Sequence, residues 1–340
     1  MYIRQRDYDR VIQAVELQQV INTDTGVQNM AYWTALAKTK AKLKQKYYVD
    51  LEFTDTNVYG PALSYTGSSR VELDFPQYNP ANTYNKGDVT AVGTAQYIGN
   101  QNTITGAFDA TKWYLVGQQY DLWYLALPYQ LFDMQRGIYG PGDIVYWFGN
   151  VYTCVQGTPG LSNSDELEAI MDSAIPFPNV FPNDPKNGVT YWGNPQPYNI
   201  QGIAPGLPLS AYTAYSNATN YGAGALSTYA NQLWQSQKVG NLNITPGTDI
   251  TAWLPIIWIA GDNRDQMVLD CLLHLIVFDL TPRIAADNVE DARLENMKRA
   301  WKMLTDLAQG EMNADQLIII ETNQGLSTQY GGVTKTGNTW

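Results

Sequence analysis

Apolar residues recur at three- and four-residue steps at both ends of the chain and alternate with polar residues in between. Residues 7–48 read as two helices, because Tyr8, Val11, Ile12 and Val15, and then Met30, Trp33, Ala37 and Ala41, each fall on one helical face. Asn22-Thr23-Asp24 separates them, and Asp24 or Thr25 is placed to cap the second. After Ala260 the helical period returns. Met267, Cys271, Leu272, Leu275, Ile276 and Phe278 mark one helix, and Val289, Leu294, Met297, Trp301, Leu304 and Leu307 another. Pro282 parts these two and Gly310 ends the second. From Val49 to about Pro255, β-branched and aromatic residues alternate amid Gly, Pro and Asn, and Arg70 to Phe75 after Tyr65-Thr66-Gly67-Ser68-Ser69 carries a hairpin signature.

Helices at both ends with strands between predict an α+β fold: a helical bundle formed by the N- and C-terminal segments, with an inserted β-region containing two small three-stranded modules. The expected divisions are terminal helices over 1–50, a β-hairpin linker over 51–80, a first module over 81–120, a second over 121–260, C-terminal helices over 261–310 and an extended tail over 311–340. In the tail, Leu317, Ile318, Ile319 and Ile320 could add a strand to a neighbouring protein's sheet edge, or could simply be a frayed terminus.

The two modules rest on an imperfect duplication. Tyr84-Asn85-Lys86-Gly87-Asp88-Val89 matches Tyr139-Gly140-Pro141-Gly142-Asp143-Ile144, and each copy reaches a tyrosine at the same offset, Tyr97 and Tyr152. The first copy closes with Asp109-Ala110-Thr111-Lys112-Trp113, whose counterpart Asp249-Ile250-Thr251-Ala252-Trp253 comes much later. This spacing predicts that a loop-rich insertion over about 156–246 interrupts the second copy. Gly87 and Gly142 are expected at positive φ in the turn, with Asp88 and Asp143 accepting backbone N–H bonds there.

Composition narrows the function. Tyr and Trp number 24 and 10, yet only 16% of residues are charged, which suits a protein that makes contacts. A net charge of −11 argues against wrapping nucleic acid. The one basic cluster, Lys38, Lys40, Lys42, Lys44 and Lys46, reads as the solvated face of a helix. Cys154 and Cys271, far apart among apolar neighbours, read as buried free thiols. No secretory signal is expected, and no apolar window is long enough to span a bilayer, so a chain with no membrane association is expected.

No set of residues in the sequence carries a recognisable catalytic or metal-binding pattern. His274, the single histidine, sits in an apolar helical stretch and reads as a core or interface residue, and the spacing of His and Cys offers no zinc site. Neither a P-loop, nor a nucleophile elbow, nor a dinucleotide fingerprint in strand–helix context appears. The acids Asp165, Glu166, Glu168 and Asp172 have the spacing of an exposed helical turn. The expectation is therefore a non-enzyme with no catalytic, cofactor or metal residues.

Two resemblances sharpen this reading. The duplicated Tyr-x-x-Gly-Asp turn, strand and later Trp resemble the small modules of chitinase-type carbohydrate-binding domains. That implies a possible glycan or partner platform of Tyr97, Trp113, Tyr152 and Trp253, although so small a unit needs the same rings for its core.

The ends are similar to tailed-phage head-to-tail connector (adaptor) proteins. The similarity is carried by Arg4 to Ile12 and by the run ending Lys46-Tyr47-Tyr48-Val49-Asp50-Leu51-Glu52-Phe53 at the start of the chain. At its end, Arg264 to Asp270, Ile276-Val277-Phe278-Asp279-Leu280 and Arg293 to Met312 carry it. A large β-insertion in such a core resembles the neck ring proteins of crAss-like phages. The resemblance implies a homo-oligomer, a ring of about twelve subunits. It would be made in the host cytoplasm and built into the virion neck against the portal protein and other neck or tail ring proteins. DNA would pass through it without sequence-specific binding during genome ejection, eased by the negative charge. Val11, Val15, Trp33, Leu272, Ile276, Phe278, Met297, Trp301 and Leu304 would belong to the ring-core helices. The alternative is a glycan-binding protein that works through its duplicated modules.

Overall fold

The computed structural model describes residues 1–21, 24–60, 62–116, 122–132, 139–158, 181–183, 188–201, 203–281, 291–314 and 317–319. The protein is mixed α+β, with several small sheets and a few helices. It divides into two compact units, Met1–Pro128 with Pro197–Ile318, and Tyr129–Gln196 with Ile319–Trp340.

In the first unit a 3₁₀ turn, Gln5–Arg10, leads to α1 (Ala14–Ile21), α2 (Thr25–Leu43) and the short α3 (Val49–Glu52). The helix α4 (Gly188–Trp192) belongs to the second unit, and α5 (Gln266–Leu280) and α6 (Asp291–Gln309) return to the first. Asp24 caps α2 by accepting the Gly26 amide at 2.8 Å, and Asp265 caps α5 by accepting the Val268 amide at 2.9 Å.

The two ends of the chain share one hydrophobic core. Tyr2, Tyr8, Ile12 and Leu17 meet Tyr32, Leu36 and Leu43 of α2, and these pack with Leu269, Leu272 and Ile276 of α5 and Leu304 and Leu307 of α6. Helix α5 is apolar on almost every side and is buried accordingly, while α6 buries only Ala300, Leu304 and Leu307. Each fully buried leucine here is worth about 1.5–3 kcal/mol relative to exposure.

Several residues expected in this core lie elsewhere. Val15 is 71% exposed, Trp33 53% and Trp301 38%, whereas Phe278 is half-buried, and Val11 and Met297 pack partly buried against the core. The reason for α2 is that it carries two apolar stripes. The inner one, Ala31, Tyr32, Ala35, Leu36 and Leu43, wins because Tyr32 can bury its ring while its hydroxyl accepts the Tyr2 amide at 2.9 Å. Pro282 and Val289 lie outside the described residues.

The basic cluster divides in the same way. Lys38 and Lys44 are exposed, but the Lys46 ammonium donates to the carbonyls of Leu307 at 3.3 Å and Met312 at 3.5 Å. It thereby satisfies the C-terminal end of α6, where Gly310 takes φ +83°. The expected tail strand is also partly internal. Leu317 is buried in the helical core and the Ile318 carbonyl accepts the Tyr48 amide at 2.9 Å, so both are engaged within the chain. Ile318 and Ile319 are exposed, and Ile320 lies outside the described residues.

The connecting segments build a four-stranded sheet in the order β1 (Thr56–Val58), β3 (Arg70–Glu72), β7 (Leu122–Leu125), β15 (Trp258–Ala260). Its β1 and β3 run parallel, and the other neighbours are antiparallel. The hairpin expected near Tyr65 to Phe75 does not form. The strand β2 (Ser64–Tyr65) pairs instead with β11 (Ile200–Gln201), since β3 is already flanked by β1 and β7.

Three modules are present where the sequence predicted two. The first is β4 (Val89–Val92), β5 (Ala95–Gly99) and β6 (Trp113–Leu115). The second, in the other unit, is β8 (Ile144–Trp147) and β9 (Asn150–Thr153) with β10 (Gln196–Pro197), where the chain leaves that unit. The third is β12 (Leu226–Tyr229), β13 (Gln232–Ser236) and β14 (Trp253–Ile256). Trp253 therefore closes a third copy and does not complete an interrupted second one, so the expected 121–260 division holds two modules.

Candidate functional site

Each module is organised around three aromatic rings. In the first, Tyr78 stacks on Tyr84 at 5.1 Å and 18°, and Trp113 meets them edge-on at 5.8 Å and 88° and at 5.3 Å and 71°. In the third, Tyr215 stacks on Tyr221 at 5.8 Å and 17°, with Trp253 edge-on at 6.0 Å and 88° and at 5.0 Å and 71°. In the second, Phe132 and Tyr139 stack at 5.4 Å and 23°, and Trp192 meets them at 5.5 Å and 86° and at 4.9 Å and 64°. Such offset and edge-on pairs add about 0.5–1.5 kcal/mol each beyond the area they bury.

The backbone repeats with the rings. Gly87, Gly142 and Gly224 lie at φ +93°, +95° and +81°, and their amides donate to the carbonyls of Gly99, Cys154 and Ser236 at 2.9, 2.7 and 2.7 Å. The Asp88 carboxylate accepts the Asn85 amide at 2.7 Å, and Asp143 accepts the Gly140 amide at 3.0 Å. In the third copy Ala225 stands at this position, which is why the Tyr-x-x-Gly-Asp pattern does not reveal it. Asp109 and Asp249 each accept both the amide and the hydroxyl of Thr111 and Thr251, so these two closing turns are alike.

The aromatic platform expected from sequence is thus mostly interior. Trp113, Tyr152 and Trp253 are buried and Tyr97 is half-buried against Phe108 at 4.8 Å. A sugar needs an open ring face, and Trp113 and Trp253, at 5% and 0% exposure, offer none. Exposed rings occur at hairpin tips and edges instead, as with Phe148, 60% exposed at φ +44°, and Tyr229. Two of the clefts among the described residues lie in the first unit. One of about 610 Å³ is lined by Tyr59, Asp74, Asn82 and Asp88, and one of about 360 Å³ by Trp123, Leu207, Tyr212 and Trp258.

A second constellation went unread in the sequence because its members come from distant segments. Arg264, with no exposed surface, donates to Asp7 at 2.6 and 3.1 Å, to Asp262 at 2.7 Å and to the Tyr2 carbonyl at 2.8 Å. Burial alone would raise Asp7 and Asp262, but the bonds and charge of Arg264 outweigh it and hold both carboxyls below the usual range. Beside them, Arg70 donates to the carbonyl of Glu52 at 2.6 Å and faces its carboxylate at 3.6 Å. Glu52 also accepts the Tyr2 hydroxyl and, at 3.0 Å, the Asp265 amide. Burial pushes Glu52 up and Arg70 down, so in this pair desolvation exceeds mutual attraction. The cluster has the chemistry of a clasp: it ties the N-terminal segment to β3 and to the start of α5.

His274 is half-buried and held below its usual value, chiefly by burial with Asp270 opposing, and Cys154 and Cys271 are buried free thiols. No group of three or more metal-ligating side chains occurs among the described residues, and Asp165, Glu166, Glu168 and Asp172 lie outside them. No helix among the described residues is long and apolar enough to cross a membrane. No known protein family, curated protein or solved structure matches the chain.

Proposed function

We propose that the chain is a non-catalytic structural protein, a neck ring subunit of a tailed bacteriophage connector that joins the portal to the tail and surrounds the DNA channel. One observation carries the reading: residues from the first 53 positions and from 268–317 close a single helical core, and the β modules hang from the segments between. Such a core gives a ring subunit a rigid wedge for lateral packing, stiffened by buried ion pairs that span the two ends. In this reading the terminal helices make the bundle of a connector and the three modules decorate it. The net charge of −11 supports a lumen that duplex DNA slides past.

Native mass spectrometry and negative-stain imaging of the full chain, alone and with its portal, test the proposal. The expected particle is a closed ring of about twelve subunits. A chain that stays monomeric with the portal and is retained on chitin resin overturns the proposal in favour of a glycan-binding protein.

A further inference from the structure

Helix α2 has a face that no other described residue covers, with a pattern of its own. Met30 and Trp33 are 62% and 53% exposed, and Ala37 and Ala41, also exposed, continue their stripe toward Lys44 at helical spacing. The stripe is graded: two large apolar side chains fill its N-terminal half and two alanines its C-terminal half. Charge is graded in the same direction, with Asp24 at the start and Lys44 toward the end, while Lys38 and Lys40 already pair with Asp279 and Asp50 within the chain.

We infer that this face pairs two copies of the chain, with their α2 helices antiparallel about a two-fold axis between residues 35 and 36. That register sets Met30 of each copy opposite Ala41 of the other, and Trp33 beside Ala37, so large side chains enter the space above small ones. It also brings the Asp24 end of one helix against the lysine end of the other and opposes the helix dipoles. A parallel or staggered pairing would face Trp33 with Trp33 or lysines with lysines. The chain itself is the occupant because the stripe supplies both halves of the match.

Neighbours that point the same way round a ring cannot share a two-fold contact. The pairing is therefore a dimer of the free chain, and it stands apart from the ring reading. The paired length, about 28 Å of helix, places the contact among small, transient interfaces.

Sedimentation equilibrium of the full chain from roughly 1 to 100 µM tests this. The expected result is a concentration-dependent dimer that Trp33→Glu weakens at least about tenfold with an unchanged far-UV spectrum, while Val239→Glu, at another exposed position, has no effect. Met30→Ala alone should weaken the dimer, and Met30→Ala with Ala41→Met should restore it by exchanging the large and small partners. Monomer across the range overturns the inference, as does association that Trp33→Glu leaves intact, or a monomer that retains duplex DNA through its lysines. A ring whose assembly ignores Trp33→Glu, with no dimer beside it, would uphold the connector reading and overturn the pairing.

Discussion

Replacing Arg264 with Gln removes the cation that three groups share. Asp7, 5% exposed, would keep only Arg4, whose guanidinium lies 3.3 Å away, and the Tyr2 carbonyl would lose its 2.8 Å donor. Asp262 is a quarter exposed and can recover water. Breaking a buried ion pair from one side costs about 3–5 kcal/mol, because the remaining charge stays buried without its partner. In a unit of this size that corresponds to a loss of roughly 10 °C in melting temperature. Denaturant unfolding measures the free energy directly, and hydrogen exchange should show residues 1–12 opening first. The companion variant Arg264→Met with Asp7→Leu removes both charges, and should recover most of the loss because no buried ion is orphaned. A loss below about 1 kcal/mol for Arg264→Gln, the range of exposed ion pairs, would refute the claim that this cluster holds the N-terminal segment in place.

The pH dependence of the same cluster has two opposing parts. Asp7 and Asp262 are depressed in the fold, so their contribution is present above their unfolded values and fades as acid takes the pH down through the folded ones. Glu52 is raised by burial, so its part runs the other way: stability is lost as the pH rises through its folded value, and melting curves of the parent across that range read the net of the two parts. Trp113→Ala and Trp253→Ala should each cost about 3–5 kcal/mol within their own module, read by local hydrogen exchange, without changing retention on a glycan resin. Ala225→Asp should return the missing turn acceptor to the third module and stabilise it by about 0.5–1.5 kcal/mol, and a loss of stability in urea would show that the turns are not equivalent.

The helices and their limits were legible because a 3.6-residue period and capping residues are local properties, and Asp24 and Gly310 act where sequence places them. Which stripe of α2 faces inward was not legible. Both stripes have helical spacing, and the choice depends on a hydrogen bond from Tyr2, thirty residues away. The clasp was illegible for the same reason, since nothing local relates Asp7 to Arg264, separated by 257 positions.

The third module is a different kind of miss, because its signal was in the sequence under another key. A Tyr-x-x-Gly-Asp search keys on the turn acid, and Ala225 breaks it. The paired tyrosines do not vary between these copies: Tyr78 and Tyr84 are spaced as are Tyr215 and Tyr221, with Ala81 and Ala218 at matching places between them. The physical ranking explains which key is safer. A turn carboxylate contributes one bond, on the order of 1 kcal/mol, and the chain can drop it. The ring triad supplies large side chains to its module's interior, beside residues such as Ile104 and Phe108 in the first copy and Trp234 and Ile244 in the third, so losing any member costs several times as much. The parts of a small module that must persist are therefore its buried rings and its positive-φ glycine, and those are the features that all three copies keep.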